Sequence, residues 1–257
     1  MGNAEPEIGP VLPGRARASR LIELVLIFFG LPAIAAALVD PDQRFAAALA
    51  RLRIGDVITL PMPLSGLVFP SLFAFSVPLL LALLGDPKFR PRELWNLRPF
   101  LADAKRMFLL MPIGFGILVG FAFFLHYADI FPPDRGPFML LERAPAVVVI
   151  IFVFYPWFSC YPQELSHRTF FFHRYEPVLG TGKTILIVNA AAFSWLHAPF
   201  WNPWALLMTF FGGLLFAWTY QRTRSTLAVT IEHWLYGWWA FVTGAGYFVF
   251  AGSVGAS

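Results

Sequence analysis

Stretches of about 20 consecutive apolar residues recur along this chain, and they constrain its fold more than any other feature. A helix rises 1.5 Å per residue, so about 20 apolar residues cross the ~30 Å hydrocarbon core of a bilayer. In hydrocarbon the backbone must satisfy its own hydrogen bonds, which leaves helices or closed barrels. Strand-period alternation is absent, so the runs predict an all-α fold, a polytopic transmembrane helix bundle. Seven spans are expected, at about 21–39, 62–85, 107–127, 145–172, 184–200, 205–221 and 226–250. The fourth is the longest and should stay helical through the polar segment from Gln163 to Arg168.

Short interfacial pieces should accompany the spans. Region 41–60 places Arg44, Phe45, Leu49, Arg51, Leu52 and Arg53 as a short amphipathic surface helix would. Region 88–106 is the most basic loop, carries Trp95 and Phe100, and is expected to lie on the membrane surface. No internal repeat and no linker divides the chain, so residues 21–257 read as a single transmembrane domain behind a polar tail, 1–20. No small-residue cleavage signal follows the first apolar run, which points to a retained signal anchor.

Composition agrees. Hydrophobic residues make up 58% of the chain and charged residues 13%, about half the charge fraction of a soluble domain. The net charge of +4 does not indicate a nucleic-acid partner, because the cations lie between apolar runs rather than in one patch. With the N-terminus inside, the inner segments hold thirteen Lys and Arg and the outer segments five. That bias predicts a cytoplasmic N-terminus, an outward C-terminus and a multi-pass protein of the bacterial inner-membrane type, with the lipid bilayer as its surroundings. The one cysteine, Cys160, allows neither an internal disulfide nor a cysteine-based metal site.

Charged groups inside hydrocarbon cost roughly 2.5–3.5 kcal/mol each on insertion scales, so their presence in a span asks for a reason. The fourth expected span holds Gln163, Glu164, His167 and Arg168, the fifth Asn189 and His197, the seventh Glu232 and His233. Counted from the inner end, Glu164, His197 and His233 lie at roughly 13, 20 and 10 Å. Three helices thus bring a carboxylate and two imidazoles to depths within about 10 Å of one another. Such groups can activate water, the carboxylate as base and the imidazoles as oxyanion donors or metal ligands. Taken singly, each has a structural explanation. Glu164 and Arg168, four residues apart, can neutralise one another, and a lone histidine or Asn189 can tie neighbouring helices. His173 and His126 read as interfacial contacts. The agreement of three helices favours the functional reading.

The motifs that carry these residues resemble those of a known family. The segment Pro162-Gln163-Glu164-Leu165-Ser166-His167-Arg168 is similar to the Glu-Glu-x-x-x-Arg motif of the CPBP intramembrane proteases, which include CAAX prenyl endopeptidases and bacteriocin-processing or immunity proteins. Phe193-Ser194-Trp195-Leu196-His197 matches the family's Phe-x-x-x-His, and His233-Trp234-Leu235-Tyr236-Gly237 matches His-x-x-x-Asn in part. The resemblance covers about 145–250, the expected protease core. It implies an endopeptidase that cuts a membrane-tethered peptide or protein near the cytoplasmic face. Glu164, His197 and His233 would be catalytic, with Gln163, Arg168, Phe193 and Tyr236 supporting.

Two departures stand out. Gln163 replaces the first glutamate, to which the family assigns activation of water, and Gly237 replaces an asparagine that donates to the oxyanion. Glu164 is then the expected base, with Arg168 orienting it and Pro162 loosening the helix so that it can turn. Tyr236 is the expected substitute donor. A divalent metal such as zinc, held by Glu164, His197 and His233, stays open as a cofactor, although His-Glu-x-x-His is absent. Two other readings remain: a non-catalytic binding, assembly or immunity protein on the same scaffold, and a small proton-relaying transporter. No inverted repeat supports the last.

Overall fold

The computed structural model describes residues 13–38 and 64–249. Among them are eight helical segments and no strand. Gly14–Val25, a π-helical turn at Leu26–Gly30 and Leu31–Leu38 run on without a break as α1. Then come α2 (Leu64–Leu84), α3 (Leu97–Tyr127) and the short α4 (Met139–Arg143). The rod α5 runs from Pro145 to Leu179, followed by α6 (Lys183–Trp195), α7 (Pro203–Thr223) and α8 (Thr226–Thr243). Side-chain caps start three of these: Asn96 accepts from Arg98 N–H, Asn202 from Trp204 and Ala205 N–H, and Ser225 from Ala228 N–H. Each satisfies amides that a helix start leaves unpaired.

Helices stand at all seven expected places, but four segments are long and apolar enough to cross a bilayer: Gly14–Ala37, Pro91–Tyr127, Pro145–Leu179 and Pro203–Thr223. A shorter apolar helix covers Pro70–Leu84. The expectation needs correction at three boundaries. Residues 97–106, read as surface loop, are the first turns of α3. The fifth segment stops at Trp195 rather than 200, which puts His197 on a turn before the short 3-10 helix Ala198–Phe200. The seventh stops at Thr243, where Gly244 takes a φ of +93°, a conformation that ends helices and suits glycine. The amphipathic helix expected at 41–60 and most of the 1–20 tail lie outside the described residues.

The distribution of side chains is inverted relative to a water-soluble fold. Leu81, Leu109 and Ile117 are each more than 60% exposed, whereas Glu164, Arg168 and Glu232 are completely buried. That pattern fits a chain whose solvent is lipid. Polar ties close the bundle at both ends. At one end Arg174 Nε and Nη2 donate to Glu23 at 2.7 and 2.6 Å, joining α5 to α1. There Tyr220 Oη also donates to Glu93 at 2.9 Å and Ser225 Oγ to the Asn96 carbonyl at 2.6 Å. His173, expected at the headgroups, instead meets Asp86 Oδ2 at 3.0 Å. The Lys88 backbone N–H, with His173, holds the Asp86 carboxyl below the usual carboxylate range. At the opposite end Trp201 Nε1 donates to the Ala36 carbonyl at 2.8 Å.

Helices α6 and α7 approach closely at Gly213. A Cβ there would lie 3.1 Å from Ala190 Cα and 3.3 Å from both the Ala190 carbonyl oxygen and Phe193 Cδ1. The contact holds Phe193 deep in the bundle.

Candidate active site

The local shape of α5 prepares the site. Two π-helical turns, Pro156–Cys160 and Leu165–Phe170, flank the four-residue α-helical piece Tyr161–Glu164. Proline lacks the N–H that would bond back along the helix, so Pro156 and Pro162 favour such loosened turns. Wide turns free carbonyls as well. Asn189 Nδ2 from α6 donates to the carbonyl of His167, inside the second wide turn, the role of helix-to-helix tie expected for it.

Gln163 and Glu164 project from this piece in different directions. Gln163 lines a cavity of about 1080 Å³ enclosed by α1, α2, α3, α5, α6, α7 and α8. Its Nε2 donates to Ser159 Oγ at 2.8 Å, while its Oε1 is buried with no hydrogen-bond partner among the described residues. Glu164 is fully buried and is not part of the cavity wall. It faces α8, where His233 Nδ1–H donates to Glu164 Oε1 at 2.8 Å. Its other oxygen lies 3.3 Å from Arg168 Nε. Neither of those two atoms makes a directed hydrogen bond, so the attraction is chiefly between charges. Glu164 thus stands one layer behind the cavity, in contrast to the expectation that it meets water itself.

Phe193 is the hub. Its ring lies 5.2 Å from the His197 ring and 5.5 Å from that of His233, nearly perpendicular to the latter. The Arg168 guanidinium sits 4.5 Å from its centroid, a cation–π contact that shields a desolvated charge. Arg168 Nη2 also reaches the Gly213 carbonyl at 3.5 Å. The Phe and the His of the Phe-x-x-x-His motif therefore do different work: the ring holds both imidazoles, and the histidine serves the cavity.

His197 and His233 both line that cavity. His197 Nδ1–H donates to the Phe193 carbonyl at 2.9 Å, which leaves its Nε2 as the basic nitrogen in the neutral ring. His233 Nε2 lies 3.2 Å from Tyr155 Oη and its ring stacks 4.7 Å from Phe216. Tyr236 also lines the cavity but packs against Gly114 of α3, where a Cβ would sit 2.4 Å from its ring.

Among the described residues no three His, Cys, Asp or Glu side chains converge as metal ligands do. Both Glu164 oxygens already face His233 and Arg168.

Sequence reasoning missed Tyr155 and Ser159, both on the cavity wall. Their signal was a spacing of four, Tyr155, Ser159, Gln163, which places polar groups on one stripe of a helix. It also missed a second ion pair, between buried Glu232 of α8 and half-buried Arg106 of α3, 3.8 Å apart. Arg106 had counted as a loop cation.

These features define a helical membrane protein that encloses two histidines, a buried carboxylate and an amide at the end of a largely apolar cavity. Residues 145–239, which hold all three motifs, match the family model described as type II CAAX prenyl endopeptidase Rce1-like. Over this core the chain is similar to the CPBP intramembrane proteases. No curated protein and no solved structure matches it.

Proposed function

We propose that this protein is an intramembrane endopeptidase in which His197 takes the proton from the attacking water. The observation that carries the reading is the shared wall of one cavity: His197, Gln163 and His233 all face it, with the two imidazoles held on either side of Phe193. Gln163 Oε1, buried and unpaired among the described residues, accepts a hydrogen bond from the water and aims it. As the water oxygen bonds to the scissile carbonyl carbon, His197 Nε2 receives the proton. The carbonyl oxygen becomes an oxyanion on the His233 side, where a preorganised donor counts most. His197 then passes its proton to the leaving amine nitrogen as the C–N bond breaks. Glu164 works through His233, fixing its ring by the bond to Nδ1, and Arg168 lies against the other Glu164 oxygen.

The substrate is a peptide attached to an apolar group that lies in the cavity, a prenyl chain being one such group. The cavity is apolar away from this end, with Leu118, Phe121, Leu207 and Phe211 among its walls.

The test is turnover of lipid-anchored peptides by purified protein in liposomes. Under this reading His197→Ala loses at least about 100-fold in kcat. Equal rates for the variant and the wild type would refute it.

One observation favours a second reading. The Gln163 amide is tied to Ser159 where the family motif has a carboxylate, which suits a binding, assembly or immunity protein that holds a peptide without cutting it. Peptide binding with no turnover in the same liposomes would select that reading.

A further inference from the structure

The last motif ends at Gly237, and the reason for glycine there lies on another helix. A Cβ at 237 would stand 2.6 Å from both Cε1 and Oη of Tyr155 and 2.9 Å from its Cζ. No side chain fits at 237 while the tyrosine keeps its place. The Tyr155 hydroxyl therefore occupies the volume that a residue at 237 would otherwise fill. It also reaches the nitrogen that matters: Tyr155 Oη is 3.2 Å from His233 Nε2, and the two rings are perpendicular, 5.9 Å apart. Tyr155, His233 and Gly237 line the same cavity.

We infer that Tyr155 is a catalytic residue, the hydrogen-bond donor to the oxyanion formed during cleavage, and that Gly237 is small in order to seat it. The inference rests on the endopeptidase reading and adds to it the group that faces the carbonyl oxygen. The hydrogen bonds form a relay. His233 Nδ1–H donates to Glu164 Oε1 and its Nε2 faces Tyr155 Oη, which holds the hydroxyl at the cavity wall. The Tyr155 O–H then points to the oxyanion. No proton leaves the relay: the proton taken from water sits on His197 and goes to the leaving amine. The relay holds the phenol in place before the oxyanion forms, as a preorganised donor requires. Tyr236 is the less suitable donor, since its ring is lodged against Gly114.

Tyr155→Phe keeps the ring that packs on Gly237 and removes only the hydroxyl. In liposomes with a palmitoylated fluorogenic peptide, kcat should fall by roughly 100-fold or more, as on loss of one oxyanion donor, while KM stays within about twofold. Tyr155→Ala should lose as much, and Tyr155→Ala combined with Gly237→Asn, which fills the vacated space with an amide donor, should recover part of it. A peptidyl phosphonate, whose tetrahedral anion mimics the oxyanion, gives a readout independent of turnover. Tyr155→Phe should weaken its binding at least 10-fold and leave binding of the uncut peptide unchanged. Wild-type kcat together with wild-type phosphonate affinity in Tyr155→Phe overturns the inference. If the wild type shows no turnover but Tyr155→Phe still discriminates against the phosphonate, the endopeptidase reading fails and the assignment of Tyr155 as anion donor survives.

Discussion

Gln163 is the residue on which the chemistry turns. Gln163 lines the cavity and its Oε1 is buried without a partner among the described residues, so under the proposed reading an imidazole serves where a carboxylate would help. Gln163→Glu supplies that carboxylate on the cavity wall, and kcat for a lipid-anchored peptide should rise by about 100-fold, the lower end for a positioned acid or base. An unchanged rate would show that position 163 does not meet the water. Glu164 calls for a different measurement. Glu164→Ala leaves Arg168 as a buried cation beside aromatic rings, which should lower stability by about 3–5 kcal/mol; thermal unfolding in detergent checks it, and a melting temperature equal to wild type would refute the pairing. Most residues of this cluster were legible in the sequence, because charges inside apolar runs announce themselves. The order of the layers was not. Which of Gln163 and Glu164 meets the cavity depends on the π-helical turns around Pro156 and Pro162, and these follow from a whole-bundle fit that no local pattern records. Tyr155 carried only the signal of its spacing of four from Ser159 and Gln163, because its partner Gly237 lies 82 positions further along the chain.

The close crossing of α6 and α7 fixes the site's hub. Gly213 lets the helices meet at the backbone of Ala190, beside Phe193. Gly213→Val should force them apart, displace Phe193 and loosen both imidazoles. The expected result is a melting temperature lowered by several degrees, from about 1–3 kcal/mol of overpacking, with activity lost at temperatures where the variant is still folded. A variant as stable and active as wild type would mean that the crossing has no bearing on the site. The apolar runs made the helices legible, since hydrocarbon leaves the backbone few options. Their ends were less so. The fifth run reads as apolar through Phe200, yet α6 stops at Trp195, and the bond from His197 Nδ1 to the Phe193 carbonyl depends on that early stop.

For the whole molecule, the alternation of helices sorts the connections into two sets. Residues 85–96, 180–182 and 224–225 share one end, where Glu93 meets Tyr220 and Asn96 meets Ser225. Residues 128–138 and 196–202 share the other. Single cysteines at Lys88 and Arg224 in a Cys160→Ser background should therefore be labelled by impermeant maleimide from one side of the membrane, and cysteines at Asp134 and Asn202 from the opposite side. The charge bias assigns the first set to the cytoplasm, and labelling of all four from one side would overturn the topology.

The length of α6 has a consequence for the surrounding lipid. Its 13 residues span about 20 Å, against a hydrocarbon thickness of about 30 Å. Ile187 is exposed along this helix and the Trp195 indole N–H is satisfied by the Phe29 carbonyl, so this flank presents a short apolar belt. Lipids beside it must shorten or bend inward to match. Headgroups and water are thereby drawn towards the turn that carries His197, and the membrane itself becomes a route for a second reactant into a hydrocarbon-buried site. Bilayers of short-chain lipid already fit that belt and should sustain faster turnover than bilayers of long-chain lipid, which resist the dip.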